Sequence, residues 1–216
     1  MSIYYQDDLV TLYRGDCREV LPDIEQKAVL VTDPPYGINL DAEQSKMLAP
    51  NKHKQVHGDA EPFDPEWLLE RFERAVIFGG NNFASRLPDS GAWIVWDKVT
   101  RNDLGVRIAE CELAWTRGVL ARTRAMRHMW SGAFRDSERG TAYHPCQKPV
   151  SLMGWVTRLV SGPNDVIVDP YAGSGATLIA ARNEGRKAIG VEYDESYCEV
   201  IAKRLDQYVL DFGVTP

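Results

Sequence analysis

Seven short apolar runs punctuate the chain, at residues 9–13, 28–32, 75–78, 92–96, 111–115, 166–168 and 187–191. Each has the length of a strand and is bounded by polar or turn-forming residues. Ala28-Val29-Leu30-Val31-Thr32 is apolar until its last residue, the pattern of a strand buried inside a sheet. Between the runs, apolar positions recur every three or four residues over 65–74, 151–160, 177–182 and 196–208, which predicts helices. The last of these carries Tyr197, Val200, Ile201, Leu205 and Tyr208 on one face. Strands and helices in alternation predict an α/β fold with a largely parallel sheet, the run at 111–115 lying antiparallel. No internal repeat or low-complexity linker divides the chain.

Two segments break the pattern. Residues 38–64 hold Asn39, Asp41, Asn51, Lys52, His53, Lys54, Gly58 and Asp59 with little periodicity. A polar loop of this length inside a compact domain is either functional or disordered. Residues 117–139 hold Arg117, Arg122, Arg124, Arg127, Arg135 and Arg139 against only Asp136 and Glu138, a net +4 in a chain of net −6, so the remainder carries −10. An acidic protein that docks on DNA needs one focused basic surface. Trp130, Phe134 and His128 lie among these arginines, which suits phosphate contact and base readout. The stretch also fits an arginine-rich surface loop that pairs with the acidic body.

Candidate chemistry sits at strand ends. Asp33-Pro34-Pro35-Tyr36 follows the buried run at 28–32, and its two prolines stop the ladder and fix the backbone. Taken alone the tetrapeptide also fits a plain strand-ending turn. In an open α/β sheet, however, the carboxyl ends of strands are where ligands bind. A carboxylate and a proline carbonyl can accept hydrogen bonds from an exocyclic NH2, and the Tyr36 ring can stack on the base that carries it. A second strand ends in Asp169-Pro170-Tyr171-Ala172-Gly173-Ser174-Gly175, where Gly173 and Gly175 allow a tight turn and close approach of a ligand. No Lys-Ser/Thr pair follows the glycines, and residue 178 is Leu, so this is neither a Walker phosphate loop nor the Gly-x-Gly-x-x-Gly fingerprint. The third, 187–191, ends in Glu192, spaced from the glycine turn as an acceptor for ribose hydroxyls would be. A solvated strand-end charge is the plainer reading of Glu192.

Together these motifs resemble those of the S-adenosylmethionine-dependent DNA amino-methyltransferases of N6-adenine or N4-cytosine type, in the permuted beta group, where Asp-Pro-Pro-Tyr precedes the glycine loop. Tyr13-Arg14-Gly15-Asp16, His144-Pro145-Cys146-Gln147-Lys148-Pro149 (the family has His-Pro-Thr-Gln-Lys-Pro) and Gly190-Val191-Glu192 with Tyr197 extend the resemblance over residues 9–205. The departures are Cys146 for Thr, Tyr171 for Phe and Ala176 for Thr. The resemblance implies a Rossmann-like methyltransferase fold: a seven-stranded, mostly parallel sheet with helices on both faces and circularly permuted motif order. It implies a single domain over 1–216, with a target-recognition insertion near 117–143 and a mobile loop near 38–64 that could close over the substrate base. Catalytic roles fall to Asp33, Pro34, Pro35 and Tyr36. Contacts to S-adenosyl-L-methionine fall to Asp16, Asp33, His144, Gln147, Lys148, Asp169, Pro170, Tyr171, Ala172, Gly173, Ser174, Gly175, Glu192 and Tyr193. Arg117, Arg122, Arg124, Arg127, Lys52 and Lys54 are the expected DNA contacts.

The expected reaction is direct in-line methyl transfer to the N6 amino group of a flipped adenine, with no covalent enzyme intermediate. Asp at the first position of the motif favours adenine, since cytosine enzymes of the family more often carry Ser there. N4-cytosine methylation, a catalytically silent cofactor-binding regulator on DNA, and methylation of RNA or a protein amide are the other readings. The intact motif argues against the silent regulator, and Asp33 argues against the last, whose enzymes commonly carry Asn. At 44% hydrophobic and 26% charged residues, the composition suits one compact core. No run of 18 apolar residues predicts a membrane span, and the first residues lack the pattern of a secretory signal. Four scattered cysteines and four histidines without ligand spacing predict neither disulfides nor a metal site, and so a cytoplasmic enzyme. The expected partner is double-stranded DNA. A homodimer is one way to extend so short a recognition segment, and a restriction–modification context fits.

Overall fold

A computed structural model describes residues 2–21, 27–38, 57–98, 109–131, 134–138, 143–144 and 146–210. In chain order the elements are β1 (Ser2–Gln6), β2 (Val10–Arg14), α1 (Cys17–Val20), β3 (Val29–Thr32), α2 (Glu66–Leu69), β4 (Arg74–Phe78), a 3-10 segment (Gly80–Arg86), β5 (Trp93–Asp97), β6 (Cys111–Arg117), β7 (Arg124–Arg127), a ribbon of β8 (Trp130–Ser131) and β9 (Phe134–Arg135), α3 (Val150–Val160), β10 (Val166–Asp169), α4 (Ala176–Asn183), β11 (Lys187–Glu192) and α5 (Glu195–Leu210).

One mixed sheet organises the chain, in the order β1-β2-β11-β10-β3-β4-β6-β5-β7. The five strands from β2 to β4 are mutually parallel. As expected, β6 is antiparallel, and it lies between β4 and β5. All seven predicted strands are present, but the sheet has nine, because β1 and β7 are added at its two edges. Neither shows an apolar run: Ser2, Ile3, Gln6, Arg124, Ala125 and Arg127 are exposed, since an edge strand can satisfy itself with polar side chains. The helix predicted over 65–74 is a single turn, Glu66–Leu69. The chain leaves it through the Phe72 N–H bond to the Leu68 carbonyl and enters β4 at once.

Burial explains the pattern. Every residue of β3 is buried, and its side chains alternate between two cores. Val29 and Val31 join Val76, Phe78, Leu152, Met153, Val156, Leu178, Ile179, Ile201 and Leu205, the layer built by α3, α4 and α5. Leu30, on the opposite face, joins Ala75, Ile77, Trp115, Leu68, Phe72, Phe63 and Phe83. The buried positions of α3, including Val150, Met153, Val156, Thr157 and Val160, recur at the spacing of one helix face. Among the described residues, no helix is long and apolar enough to cross a membrane, and no cluster of three or more His, Cys, Asp or Glu could hold a metal ion.

Because β2, β3, β4, β10 and β11 run the same way, their carboxyl ends share one edge of the sheet. Along that edge come Asp16 after β2, Asp33 after β3, Gly79 after β4, Asp169 at the end of β10 and Glu192 at the end of β11. This is the crevice where open α/β sheets bind ligands.

Candidate active site

The Asp33-Pro34-Pro35-Tyr36 corner is held from two sides. Gly37 and Ile38 donate their N–H groups to Asp59 Oδ1, at 2.9 and 3.4 Å, so a buried carboxylate pins the chain just beyond Tyr36. The Tyr36 ring lies against Gly79 at the end of β4. Gly79 has φ +71°, and a Cβ there would sit 2.0 Å from Tyr36 Cε1, so only glycine leaves room for the ring. The Gly79 N–H donates to the Leu113 carbonyl of β6, which fixes that backbone.

Both Asp33 oxygens are engaged. Tyr36 Oη donates to Oδ1 at 2.5 Å, and Lys148 Nζ donates to Oδ2 at 2.5 Å. Lys148 also lies 3.2 Å from Glu112 Oε2 and 3.3 Å from Tyr36 Oη, and Lys98 Nζ meets Glu112 Oε1 at 2.7 Å. Burial pushes the Asp33 carboxyl up, partly countered by Lys148. Burial works against the Lys148 ammonium too, but Asp33 and Glu112 outweigh it and hold the lysine charged well above its usual range. Burial likewise opposes the Glu112 carboxylate, yet Lys148 and then Lys98 bring its pKa below the usual value. Lys148 is held charged, and with the Tyr36 hydroxyl it donates to the Asp33 carboxyl, a charge-assisted contact.

The glycine turn is equally constrained. Thr32 Oγ1 at 2.8 Å and the Tyr171 N–H at 3.1 Å donate to Asp169 Oδ1, and burial raises Asp169 to about 6. Gly175 turns the chain into α4 at φ +79°, where a Cβ would press on Ile201 at 2.9 Å. Glu192 Oε2 accepts the Gly173 N–H at 2.9 Å, and Oε1 accepts the Asp194 N–H at 2.8 Å. Burial lifts the Glu192 carboxyl from 4.5 to about 7. The Tyr193 N–H also donates to this carboxyl, which leaves it capacity to accept from a hydroxyl such as a ribose supplies. The Tyr193 ring is exposed and stacks with His57, centroids 4.4 Å apart. His144 lies over Gly173 and against Tyr197, ring centroids 4.6 Å apart. The glycine turn, the half-buried acid and the flanking rings fit a nucleoside-bearing group. Pro170, Ala172 and Ser174 are buried under the turn, and Asp16 caps α1 by accepting the Arg18 N–H.

Several of these residues also make contacts within the chain. Lys148 donates to Asp33. Gln147 accepts the Tyr143 N–H and donates to Glu138 Oε1, so its polar groups are bound within the chain. Arg117 donates to the Leu69 and Phe72 carbonyls, closing the exit of α2. Arg122, Arg124 and Arg127 are exposed beside and along β7, Arg127 pairing with Asp97 at 2.7 Å. Lys52 and Lys54, with most of the loop expected over 38–64, lie outside the described residues.

Sequence reasoning missed Glu112, Lys98, Gly79 and a node at Glu138. That carboxylate accepts from Gln147, from the Val150 N–H that starts α3, and from buried Arg204, whose other arm donates to the Ser174 carbonyl. Glu138 also has φ +50°, so the chain holds it in a left-handed turn. The one visible hint was an acid at position 112 within an otherwise apolar run.

A mostly parallel sheet with β1 and β6 reversed, and an acidic-aromatic corner beside a glycine turn, define a Rossmann-like methyltransferase fold. Solved structures with this fold agree. The PvuII DNA methyltransferase, cytosine-N4-specific, matches with a TM-score of 0.64 at 17% identity, covering 97% of this chain and 93% of that one. The M1.HpyAVI–SAM complex matches with a TM-score of 0.57 at 22% identity, covering 92% and 100%. Sequence comparison carries the assignment further. The type II methyltransferase M.HinfI of Haemophilus influenzae is 44% identical, over 92% of this chain and 69% of that protein. A family model described as a DNA methylase matches residues 95–204, and the chain belongs to that N6/N4 methylase family. Among three curated relatives, the match spans from 31% to 88% of the relative's own length.

Proposed function

We propose that this protein transfers the methyl group of S-adenosylmethionine to the N6 amino group of adenine in duplex DNA. The observation that carries the reading is the charged, oriented Asp33 carboxylate at the end of β3, beside the Glu192 and glycine-turn crevice. When bound, the cofactor supplies an activated methyl on a sulfonium. Asp33 retains lone pairs beyond those used by Tyr36 and Lys148, and with the Pro34 carbonyl it can accept the two N–H bonds of an exocyclic amine. Those bonds draw the amine toward a tetrahedral shape and localise its lone pair for in-line attack, a matter of positioning and electrostatics. A base paired inside a duplex cannot present its amine to this corner, so it must leave the stack, with Tyr36 as its stacking platform. The leading Asp favours adenine. N4-cytosine remains the second reading, because a fold match is a cytosine-N4-specific enzyme. Incubation with labelled cofactor and duplex DNA, followed by mass spectrometry of the nucleosides, decides: N6-methyldeoxyadenosine supports the proposal, and N4-methyldeoxycytidine or no product overturns it.

Cofactor binding at Glu192 has a pH signature. The free carboxyl is raised by burial from 4.5 to about 7, so between these values the folded protein holds a proton that the unfolded chain has lost. In the free protein this makes stability fall as pH rises across that window. Two hydroxyl donors favour the ionised form, so affinity is expected to rise with pH, by up to about tenfold per unit, and to level off above about 7. Glu192→Ala should cost about 1.5–3 kcal/mol of binding. Calorimetry at several pH values on wild type and Glu192→Gln checks this. The ligand's own ionisation is common to both proteins, so identical pH profiles would remove Glu192 from the site.

DNA docking is expected on the β7 edge. Arg122→Ala or Arg124→Ala should weaken binding to all duplexes and lower the salt slope by about one if a phosphate contact is lost. A lost base contact should instead relax preference by about 1–3 kcal/mol at one base pair. Arg117→Ala, by contrast, should act on stability. Duplex affinity measured against salt separates these outcomes, and wild-type behaviour of all the arginine variants would place the DNA face elsewhere.

A further inference from the structure

We propose that Glu112 is a positioning residue for methyl transfer, holding the Lys148 ammonium charged and in place against Asp33. The inference rests on the amino-methyl transfer proposed above. Lys98, Glu112, Lys148 and Asp33 form a line of alternating charge across β5, β6 and the corner, with spacings of 2.7, 3.2 and 2.5 Å. The Lys148 side chain is only 7% exposed. It is walled by the Tyr36 and Phe78 rings, whose centroids lie 5.7 and 5.5 Å from Nζ. Its three protons have three neighbours, Asp33 Oδ2, Glu112 Oε2 and Tyr36 Oη. Glu112 Oε2 is fully buried and faces the Lys148 ammonium at 3.2 Å.

The chemistry requires that second anion. The Lys148 ammonium holds the Asp33 carboxylate where it can accept from an amine. Burial penalises that ammonium, so with one anion fewer beside it Lys148 gives up its proton to solvent at lower pH, and a neutral Lys148 is a weaker anchor for Asp33. A carboxylate 3.2 Å from the ammonium keeps the proton on Lys148. Lys98 fixes the other oxygen of Glu112, so the carboxylate cannot turn away. The charges of this cluster also act on the Cys146 thiol, and Asp33 acts on Asp169.

The test is Glu112→Gln in the full chain, assayed for methylation of duplex DNA across pH. We expect kcat to fall at least tenfold, with KM for DNA and cofactor affinity within about twofold of wild type. We also expect an alkaline limb of kcat at lower pH in the variant than in wild type. Replacing Lys98 by Met in the same protein removes the cation left unpaired and should recover part of the loss. A folded Glu112→Gln protein with wild-type kcat and pH profile overturns the proposal, as does a loss of kcat with no change in pH profile. If Glu112→Gln does not fold, Lys98→Met alone is the probe. It frees Glu112 to rotate and should bring in a weaker alkaline limb, and an unchanged profile there would overturn the proposal. An inactive wild type would instead count against amino-methyl transfer itself.

Discussion

Asp33→Ala is expected to lower kcat by about 10²–10³-fold or more, because it removes an acceptor whose bond strengthens as the transition state forms. A second cost comes with it. Lys148 loses its shortest partner, and breaking a buried pair typically costs about 3–5 kcal/mol. Glu112 stays in place as a compensating anion, so the stability loss should fall at or below that range. Asp33→Asn separates the two effects, since it keeps the shape and removes the charge. Single-turnover methylation with thermal melts on both variants is the measurement. Near wild-type turnover in either would end the assignment of Asp33 as the acceptor.

Gly79→Ala should be the most damaging change outside the motif. The new methyl would lie 2.0 Å from the Tyr36 ring, and the residue would keep a φ of +71°. The left-handed backbone alone costs about 1–2 kcal/mol. Displacing Tyr36 forfeits its stacking on the base, worth about 1–3 kcal/mol, so kcat/KM for DNA should fall about tenfold to a hundredfold. Tyr36→Ala removes the obstruction and the platform together. Gly79→Ala placed on that background should therefore cost little further activity. Full additivity of the two changes would mean that Gly79 acts through something other than Tyr36.

The sheet interior was legible because its strands are buried on both faces. Residues 28–32 and 75–78 can be little else than parallel strands, and β3 and β4 fall on them. The edges were not. The Arg124–Arg127 strand reads as part of a basic loop, since only Met126 turns toward the core while its neighbours face solvent. The corner and the glycine turn were legible as local signals, being contiguous in sequence. Lys148 was not, because its place is set by Asp33 and Glu112, which lie on other elements far away in the chain. The Arg117 contacts are likewise set by distant elements: its position at the end of β6 brings it beside the carbonyls of Leu69 and Phe72.

The strand order also governs how the molecule comes to exist. β10 and β11 are the last strands made, yet they occupy the middle of the sheet, so Val29 waits for Ile167 and Val10 for Ala188. During synthesis β2 and β3 have no partners on their facing edges, and long-range parallel pairing of this kind is slow to form. A nascent chain that stops short of β10 carries the whole Asp33-Pro34-Pro35-Tyr36 sequence but lacks the strands that join its corner to the glycine turn. Assembly of the catalytic edge is thus the closing event of folding, and an unfinished chain has both an inert corner and two sticky strand edges.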